Sequence, residues 1–388
     1  MSDLSAIAAI STPLGTGGVG IIRISGKNAT EIVDKIFISV NGKKLASSKG
    51  YRAYFGKIYD GNTAVDEVIC LVFRAPHSYT GEEVVEINCH GGVFLLKKIL
   101  RLVLSNGAIA ASPGEFTKRA FLNGKLDLSE AESVMTLISA QGEQGANAAF
   151  NQLEGKLSRK IEEINSSLLS LAAHIAAWVD YPDDEIENLG EDEVHSVIFN
   201  AKSEITSLLK SFDSGMAITN GVEAAIVGKP NVGKSTLMNL LTGYDRSIVT
   251  EIEGTTRDVV EETVNLNGCI LRISDTAGMR ETGDVVEKLG VERSRKKLER
   301  AAIVFAVFDV SKPLSEEDME LIENCKNKNV ISILNKTDLD SCLDEDYIKK
   351  SLGSPLFISA KIGDGYNELC DRVAELMGTK NFDTTSAM

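Results

Sequence analysis

The sequence predicts a multi-domain α/β protein with an α+β N-terminal domain, a helical domain and a C-terminal domain built on a doubly wound, mostly parallel sheet. Three observations lead to this prediction. Residues 1–118 mix short apolar runs with glycine turns, residues 119–216 have few glycines and carry apolar side chains at helical spacing, and residues 217–379 alternate apolar runs with helical segments. Residues 380–388 are mostly polar and are expected to form a frayed tail.

The N-terminal and middle regions carry these patterns locally. Val68–Phe73 and Val84–Ile87 are apolar runs of strand length, and a glycine-rich stretch precedes the run that begins at Ile21. In the middle region, apolar residues recur at helical spacing between Leu168 and Ile175. We therefore expect strands in the first region and long helices in the second.

The composition restricts the classes of protein that the chain can belong to. Its 388 residues carry a formal net charge of −15, which argues against a protein that coats nucleic acid by charge alone. No apolar run reaches the roughly 18 residues that a membrane span needs, and the six cysteines show no metal-binding spacing. We expect a soluble, cytoplasmic protein that does not bind membranes and whose cysteines are reduced.

Residues 228–235 form the most informative motif, which reads Gly-Lys-Pro-Asn-Val-Gly-Lys-Ser. Gly228 and Gly233 let the backbone aim its N–H groups at phosphate oxygens, and Lys234 adds positive charge near the outer phosphates. The hydroxyl of Ser235 is suited to Mg²⁺. The apolar run Val222–Val227 precedes the loop and helix-forming residues follow it, so a helix N-terminus faces the bound anion.

Three further motifs follow in the order that a guanine-nucleotide site requires: Asp275–Gly278, Asn335–Asp338 and Ser359–Lys361. Each follows an apolar run, and the ends of parallel strands are where ligands bind in open sheets. The carboxylate of Asp338 can accept from the ring N–H and the exocyclic amine of guanine, a donor pair that adenine lacks. The C-terminal domain is therefore predicted to be a Ras-like P-loop GTPase domain.

The stretch between these motifs departs from the Ras pattern at one position. Thr256 is the predicted second hydroxyl for Mg²⁺, on a loop that the last phosphate orders. Met279 stands where a Ras-like enzyme has the glutamine that orients water. Arg257 and Arg280 are candidates for an arginine finger, although exposed arginines near such loops more often form ion pairs.

Long motifs before residue 130 carry a resemblance to a known family. These motifs, together with one in the stretch before Asp275, are Gly17–Gly26, Ser78–Glu82, Cys89–Gly92, Pro113–Thr117, Arg119–Leu128 and Gly254–Asp258. Over nearly its whole length the chain resembles the MnmE (TrmE) family of tRNA-modification GTPases.

The resemblance implies a homodimer that works with a flavoprotein, MnmG (GidA), on tRNA. Together they modify the C5 carbon of the wobble uridine, with a carbon from a tetrahydrofolate derivative, and GTP hydrolysis controls the reaction. The folate contacts fall on Arg23, Glu82 and Lys125. An arginine and a lysine suit the glutamate tail of folate, and a carboxylate suits the aminopyrimidine ring.

The resemblance also implies how the missing glutamine is replaced. K⁺ lies where an arginine finger would act, held by the side-chain oxygen of Asn231 and by groups at Thr250, Ile252 and Thr255. The water-orienting carboxylate falls on Glu287. Met279 is then an expected departure from the Ras pattern.

The motifs and the resemblance together give one set of predicted site residues. The catalytic residues are Lys234, Thr256 and Glu287, and the Mg²⁺ ligands are Ser235 and Thr256. The GTP-binding residues are Asn231, Val232, Gly233, Lys234, Ser235, Thr236, Thr250, Thr255, Thr256, Asp275, Thr276, Ala277, Gly278, Asn335, Lys336, Asp338, Ser359, Ala360 and Lys361.

Two alternatives stay open at this point. Family members continue past the GTPase domain with further helices and a Cys-x-Gly-Lys tail, which this sequence does not contain up to Met388. We therefore expect an uncovered apolar stripe on the helices of residues 119–216, and a GTPase that no longer supports modification is possible. A GTP-driven binding module for ribosome assembly or translation is the other alternative, although the N-terminal motifs do not fit it.

Overall fold

The computed structural model describes residues 5–180, 190–219, 221–244, 261–274 and 301–380. The chain divides into two compact units, Met1–Val134 and Met135–Met388. Among the helices of the described ranges, none is both long enough and apolar enough to cross a lipid bilayer.

The first unit combines a sheet with helices, so the predicted α+β character of this region is confirmed. Its strands are β1 (Ile7–Ile10), β2 (Gly17–Ser25), β3 (Phe37–Ser39), β4 (Arg52–Asp60), β5 (Thr63–Phe73), β6 (Val84–Gly91) and β7 (Ile109–Ala110). Its helices are α1 (Ala29–Asp34), α2 (Val93–Ser105), α3 (Glu115–Leu122) and the start of α4 (Leu128–Ser139), with a 3₁₀ turn at Leu45–Ser47.

These strands form one seven-stranded sheet in the order β3-β4-β5-β6-β2-β1-β7, antiparallel except where β1 pairs with β7. Ile22 and Ile24 of β2 pack with Ile87 of β6 and with apolar residues of α1 and α2 in a buried core. Because side chains alternate along a strand, Arg23 points to the opposite face. It lies beside Glu86 in the β2–β6 register.

The second unit begins with helices, as the helical periodicity predicts. These are α5 (Glu143–Leu153), α6 (Lys156–Asp180) and α7 (Glu191–Thr219), and α7 packs against both α5 and α6. Large apolar side chains on α6 and α7 are exposed: Ile161, Leu169, Trp178, Val179, Ile198, Phe199 and Leu209. The expected uncovered apolar stripe is therefore present in the described part of these helices.

A second sheet follows, with helices between most of its strands. Its strands are β8 (Val222–Val227), β9 (Glu261–Leu266), β10 (Cys269–Ser274), β11 (Ile303–Asp309), β12 (Val330–Asn335) and β13 (Leu356–Ile358). The helices of this part are α8 (Lys234–Tyr244), α9 (Glu316–Cys325), α10 (Glu345–Leu352) and α11 (Tyr366–Leu376). The strand order is β13-β12-β11-β8-β10-β9, parallel except for β9, which runs antiparallel to β10.

Helices cover both faces of this sheet, which makes it doubly wound as predicted. Leu237 of α8 and Leu369 of α11 are buried in the core on one face, whereas Ile322 of α9 and Ile348 of α10 are buried on the other. The central strand β11 is buried along its whole length, as expected for a parallel strand with both faces covered. The chain leaves β8 toward β10 on one side and later returns to β11 on the other, and such a switch in direction opens a crevice at the carboxyl ends of the strands.

The turn of the β9–β10 hairpin packs tightly within the second unit. Asn267 and Gly268 have positive φ angles of 47° and 86°, which suits a two-residue hairpin turn. The Asn267 side-chain amide donates to Asp371 of α11 at 2.9 Å. A Cβ at Gly268 would lie only 2.0 Å from Oε1 of Gln144 in α5, so a larger residue there would have to displace the end of the Gln144 side chain.

Candidate functional site

The glycine loop joins β8 to α8 at the carboxyl edge of the second sheet. Gly228 has a φ of 154°, and a Cβ there would lie 2.5 Å from the carbonyl oxygen of Val307. Gly233 has a φ of 104°, and a Cβ there would lie 2.2 Å from Nδ2 of Asn335. Both glycines are therefore required by the close approach of neighbouring strands as well as by the backbone angle.

Lys234 begins α8, and its ammonium group turns back onto the loop. Nζ donates to the carbonyl oxygens of Gly228 at 2.8 Å and Lys229 at 2.7 Å. Burial lowers the pKa of Lys234 below its ordinary value. A phosphate bound in the loop would stabilise the charged form of this side chain, and Ser235 and Thr236 lie exposed beside it in the first turn of the helix.

A second lysine ties the loop to helix α9. Nζ of Lys229 lies 2.5 Å from Oδ2 of Asp318 and donates to Oγ of Ser315 at 2.9 Å. Ser315 and Asp318 form a capping box at the start of α9. Because the side chain of Asp318 is only 3% exposed, this ion pair holds one side of the loop against the start of α9.

Asn335 links three of the predicted motifs through hydrogen bonds. Its Nδ2 donates to the carbonyl oxygen of Val232 in the glycine loop at 2.8 Å. Its Oδ1 accepts from the backbone N–H of Ala360 at 3.0 Å. Asn335 is 3% exposed, so both bonds are shielded from water.

The predicted base-reading carboxylate is exposed and held by a neighbour. Oδ1 of Asp338 accepts from Oγ of the fully buried Ser359 at 2.7 Å. This hydroxyl contributes most to lowering the pKa of Asp338 below its ordinary value, which keeps the carboxylate ionised and able to accept. The adjacent Lys336 has a φ of 70° and forms an ion pair with Asp309 at 2.6 Å.

The structure thus brings the predicted residues of three loops to one edge of the sheet, at the ends of β8, β12 and β13. The other predicted nucleotide, metal and catalytic residues lie outside the described residues: Thr250, Ile252, Thr255, Thr256, Asp275, Thr276, Ala277, Gly278 and Glu287. Their roles remain predictions. Asn231 is described, and it lies exposed in the loop with a φ of 65°.

The first unit holds a separate cluster around Arg23. Its Nε donates to Oε1 of Glu86 at 2.8 Å, and the guanidinium group lies 5.3 Å from the ring centre of Tyr79 and 5.7 Å from that of Phe116. These distances are in the range of cation–π contacts. The surroundings of Arg23 therefore present two aromatic faces and one carboxylate.

Glu82 belongs to the same part of this unit. Its carboxylate accepts from Oγ of Ser25 at 2.7 Å and from Nη1 of Arg119 at 3.2 Å. Ser25 lies two residues after Arg23 on β2, and the side chain of Lys125 reaches Gly81, where a Cβ would lie 3.2 Å from its Cγ. Arg23, Glu82 and Lys125 therefore lie on neighbouring segments of the first unit, and each has its own contacts.

Sequence reasoning missed several residues that shape these sites. Asp309, Lys229 and Asp318 were not predicted, because their partners lie far away in the sequence. One signal for Asp309 was available: it is the first charged residue after the apolar run of β11, at the end of a central parallel strand. Arg119 and Phe116 stood in the quoted motifs but had no assigned role.

A glycine loop that ends in Gly-Lys-Ser after one strand and an Asn-Lys-x-Asp motif after another are typical of one class of protein, the P-loop GTPases. Family models narrow this class. The model of the GTP-binding protein TrmE N-terminus matches residues 6–125, and that of the MnmE helical domain matches residues 128–388. The chain belongs to the MnmE family, the tRNA modification GTPases.

Individual relatives cover most of the chain. The tRNA modification GTPase MnmE of Clostridioides difficile is 44% identical over 384 residues, or 98% of this chain and 84% of that protein. The protein of the same name from Acetivibrio thermocellus is 46% identical over 374 residues, or 95% of this chain and 81% of that protein. Membership of this family implies GTP as the substrate and Mg²⁺ as its companion ion.

Solved structures match a smaller part of this chain than these relatives do. Era in complex with MgGDPNP and a segment of 16S ribosomal RNA is 34% identical, with 40% of this chain and 56% of that chain covered and a TM-score of 0.33. The FeoB G-domain of Methanococcus jannaschii is 25% identical, with 40% of this chain and 97% of that chain covered and a TM-score of 0.30.

Proposed function

We propose that this chain is the K⁺-dependent GTPase subunit of a system that modifies the C5 carbon of the wobble uridine of tRNA. In this proposal it acts as a cytoplasmic homodimer with an MnmG-like flavoprotein, and a tetrahydrofolate derivative bound to the first unit supplies the carbon. The proposal is supported by two groups of residues in one chain. One is the group of predicted nucleotide residues that meet at the carboxyl edge of the second sheet, and the other is the cluster of charged and aromatic residues around Arg23 in the first unit.

Lys234 in the described part of the glycine loop supports the proposed GTP hydrolysis. Lys234 is placed to exchange its two loop carbonyls for phosphate oxygens, since both partners belong to the loop that would surround the phosphates. Ser235 and Thr256 would hold Mg²⁺, and Glu287 would orient the attacking water.

Asn231, Thr250, Ile252 and Thr255 are the proposed K⁺ ligands. The exposed side chain of Asn231 in the loop supports this choice, because an amide oxygen there is free to turn toward the phosphates. K⁺ held there would supply a positive charge beside the phosphates, which is the role of an arginine finger in other GTPases.

The first unit supports a folate site through complementary chemistry. A flat heteroaromatic ring can stack on the faces of Tyr79 and Phe116, which now flank the guanidinium group of Arg23. Glu82 retains a carboxylate for the aminopyrimidine edge, and Arg23 and Lys125 provide positive charge for an anionic tail.

Comparing hydrolysis of GTP in KCl and NaCl at equal ionic strength tests the nucleotide half. We expect faster turnover in KCl for the wild type, and loss of this difference in Asn231→Ala. Asn239→Ala is the matched control, because Asn239 is an exposed residue of α8 outside the loop. Equal wild-type rates in the two salts would remove K⁺ and the role of Asn231 from the proposal.

Folate binding tests the other half, with 5-formyltetrahydrofolate as the probe. Wild type should bind it, whereas Arg23→Ala and Glu82→Gln should bind weakly. Arg52→Ala, an exposed arginine at the start of β4, should resemble the wild type. Absence of binding by the wild type would contradict the folate assignment, and mass spectrometry of wobble nucleosides from cells that rely on this chain alone would measure the modification directly.

A further inference from the structure

Asp309 is the last residue of the central strand β11 and is nearly buried. The residue is 5% exposed, and its carboxylate has three donors around it. Oδ2 accepts from Nζ of Lys336 at 2.6 Å. Oδ1 accepts from Oγ of Ser311 at 2.7 Å and from the backbone N–H of Ser311 at 3.1 Å. The carboxylate is therefore fixed from one side and pairs with the lysine on the other.

A contribution to stability does not by itself explain why the Asp309–Lys336 ion pair is present. Buried or nearly buried ion pairs contribute little net stability, because desolvation offsets their attraction. Lys336 is also held in the left-handed region at a φ of 70°, which is unfavourable for a lysine. Burial alone would raise the pKa of Asp309, but the Lys336 ammonium and the Ser311 donors outweigh it and lower the pKa below its ordinary value.

The position of the pair suggests what it does. Lys336 directly follows Asn335, whose side chain is hydrogen-bonded to the glycine loop and to Ala360. Two residues after Lys336 comes Asp338. A long lysine side chain at this point would otherwise sample several rotamers at an entropic cost on binding. Anchoring its ammonium group on β11 fixes the direction of the alkyl chain beside the place where the base would lie.

We propose that Asp309 is a positioning residue for guanine-nucleotide binding. It holds Lys336 in its binding conformation, and Ser311 fixes the Asp309 carboxylate by donating to it. The proposal rests on the assignment of Asn335–Asp338 as the guanine-reading loop. It assigns Asp309 no contact with the nucleotide.

A double-mutant cycle on GDP affinity tests the proposal, with calorimetry as the readout. Asp309→Ala should weaken binding of GDP about tenfold, as expected for loss of one charge-assisted contact, and should weaken GTP by the same factor. Lys336→Ala should have a similar effect, and the double variant should bind no more weakly than the weaker single variant. Additive losses would mean that the two residues act independently, and this result would overturn the proposal.

Further variants separate positioning from damage to the fold. Asp309→Asn keeps the shape of the side chain and should still lose part of the affinity, whereas Asp340→Ala removes a nearby exposed carboxylate and should lose none. Steady-state kinetics should show a larger rise in KM for GTP than fall in kcat. Unchanged GDP affinity in both Asp309 variants, with cooperative unfolding retained, would also overturn the proposal.

One variant distinguishes failure of this proposal from failure of the site assignment. Asp338→Asn should shift preference from guanine toward xanthine nucleotides, because xanthine presents a carbonyl in place of the exocyclic amine. If this shift occurs while Asp309→Ala binds normally, only the positioning role is wrong. If Asp338→Asn keeps its guanine preference, the assignment of the loop itself is wrong.

Discussion

Asn335→Ala is the most direct perturbation of the carboxyl edge of the second sheet, where the predicted nucleotide residues meet. The change removes two buried hydrogen bonds and leaves the carbonyl oxygen of Val232 and the N–H of Ala360 without their partner. Val232 is 2% exposed and Ala360 is 7% exposed, so water cannot readily replace the lost groups. Each orphaned group costs about 1–3 kcal/mol, which gives a total of about 2–6 kcal/mol.

Urea unfolding without nucleotide measures this loss, and calorimetry with GDP measures its effect on binding. We expect a lower unfolding free energy and much weaker GDP binding, because the glycine loop loses its bond to β12. Ser332→Ala is the matched control in the same strand. Ser332 is 2% exposed and its Oγ has no hydrogen-bond partner in the described part of the chain, so its removal should be neutral or slightly stabilising. An Asn335→Ala protein within about 1 kcal/mol of wild type would refute the reasoning.

Three further predictions concern contacts elsewhere in the second unit. Gly268→Ala should lower the unfolding free energy by at least about 1–2 kcal/mol, since it adds a left-handed alanine beside Gln144, and Gln144→Ala should recover part of this loss in urea unfolding. Lys229→Met should lower the unfolding free energy by about 1–3 kcal/mol, because Asp318 loses one hydrogen-bond donor. If the Lys229→Met, Asp318→Asn double variant loses more than Lys229→Met alone, this explanation is wrong. Asp309 has a folded pKa below its unfolded value, near 3.9. The advantage of wild type over Asp309→Asn should thus be complete above the unfolded pKa and disappear as the pH falls through the folded pKa, as thermal unfolding from pH 7 to 3 would measure; an advantage that grows on acidification would contradict it.

Four parallel strands of the second sheet, β8, β10, β12 and β13, are predictable from sequence because each is a mainly apolar run. The run Val222–Val227 is β8, and Val330–Leu334 lies within β12 (Val330–Asn335). The glycine loop and the polar motifs each follow one of these runs, so they lie at the carboxyl ends of the strands. Because ligands bind at these ends in open parallel sheets, the sequence predicts that the described nucleotide residues lie together. The general fold class of both units follows from the same periodicity.

Long-range pairs were not predictable in this way. Lys336 and Asp309 are 27 positions apart, and periodicity states only that each lies near a strand end. Whether two such ends are neighbours depends on strand order, which the periodicity does not give, and in the structure β11 pairs with β12 on one side and with β8 on the other. In the first unit, the pairing of Arg23 with Glu86 depends in the same way on β6 lying next to β2.

The β9–β10 hairpin connects distant parts of the second unit. At its open end, the chain arrives from the residues that include Thr256 and leaves toward Asp275. At its closed end, Asn267 is bonded to α11 and Gly268 lies against Gln144 at the start of α5. The hairpin turn therefore contacts one helix that precedes the glycine loop in the sequence and another that follows the last strand of the sheet.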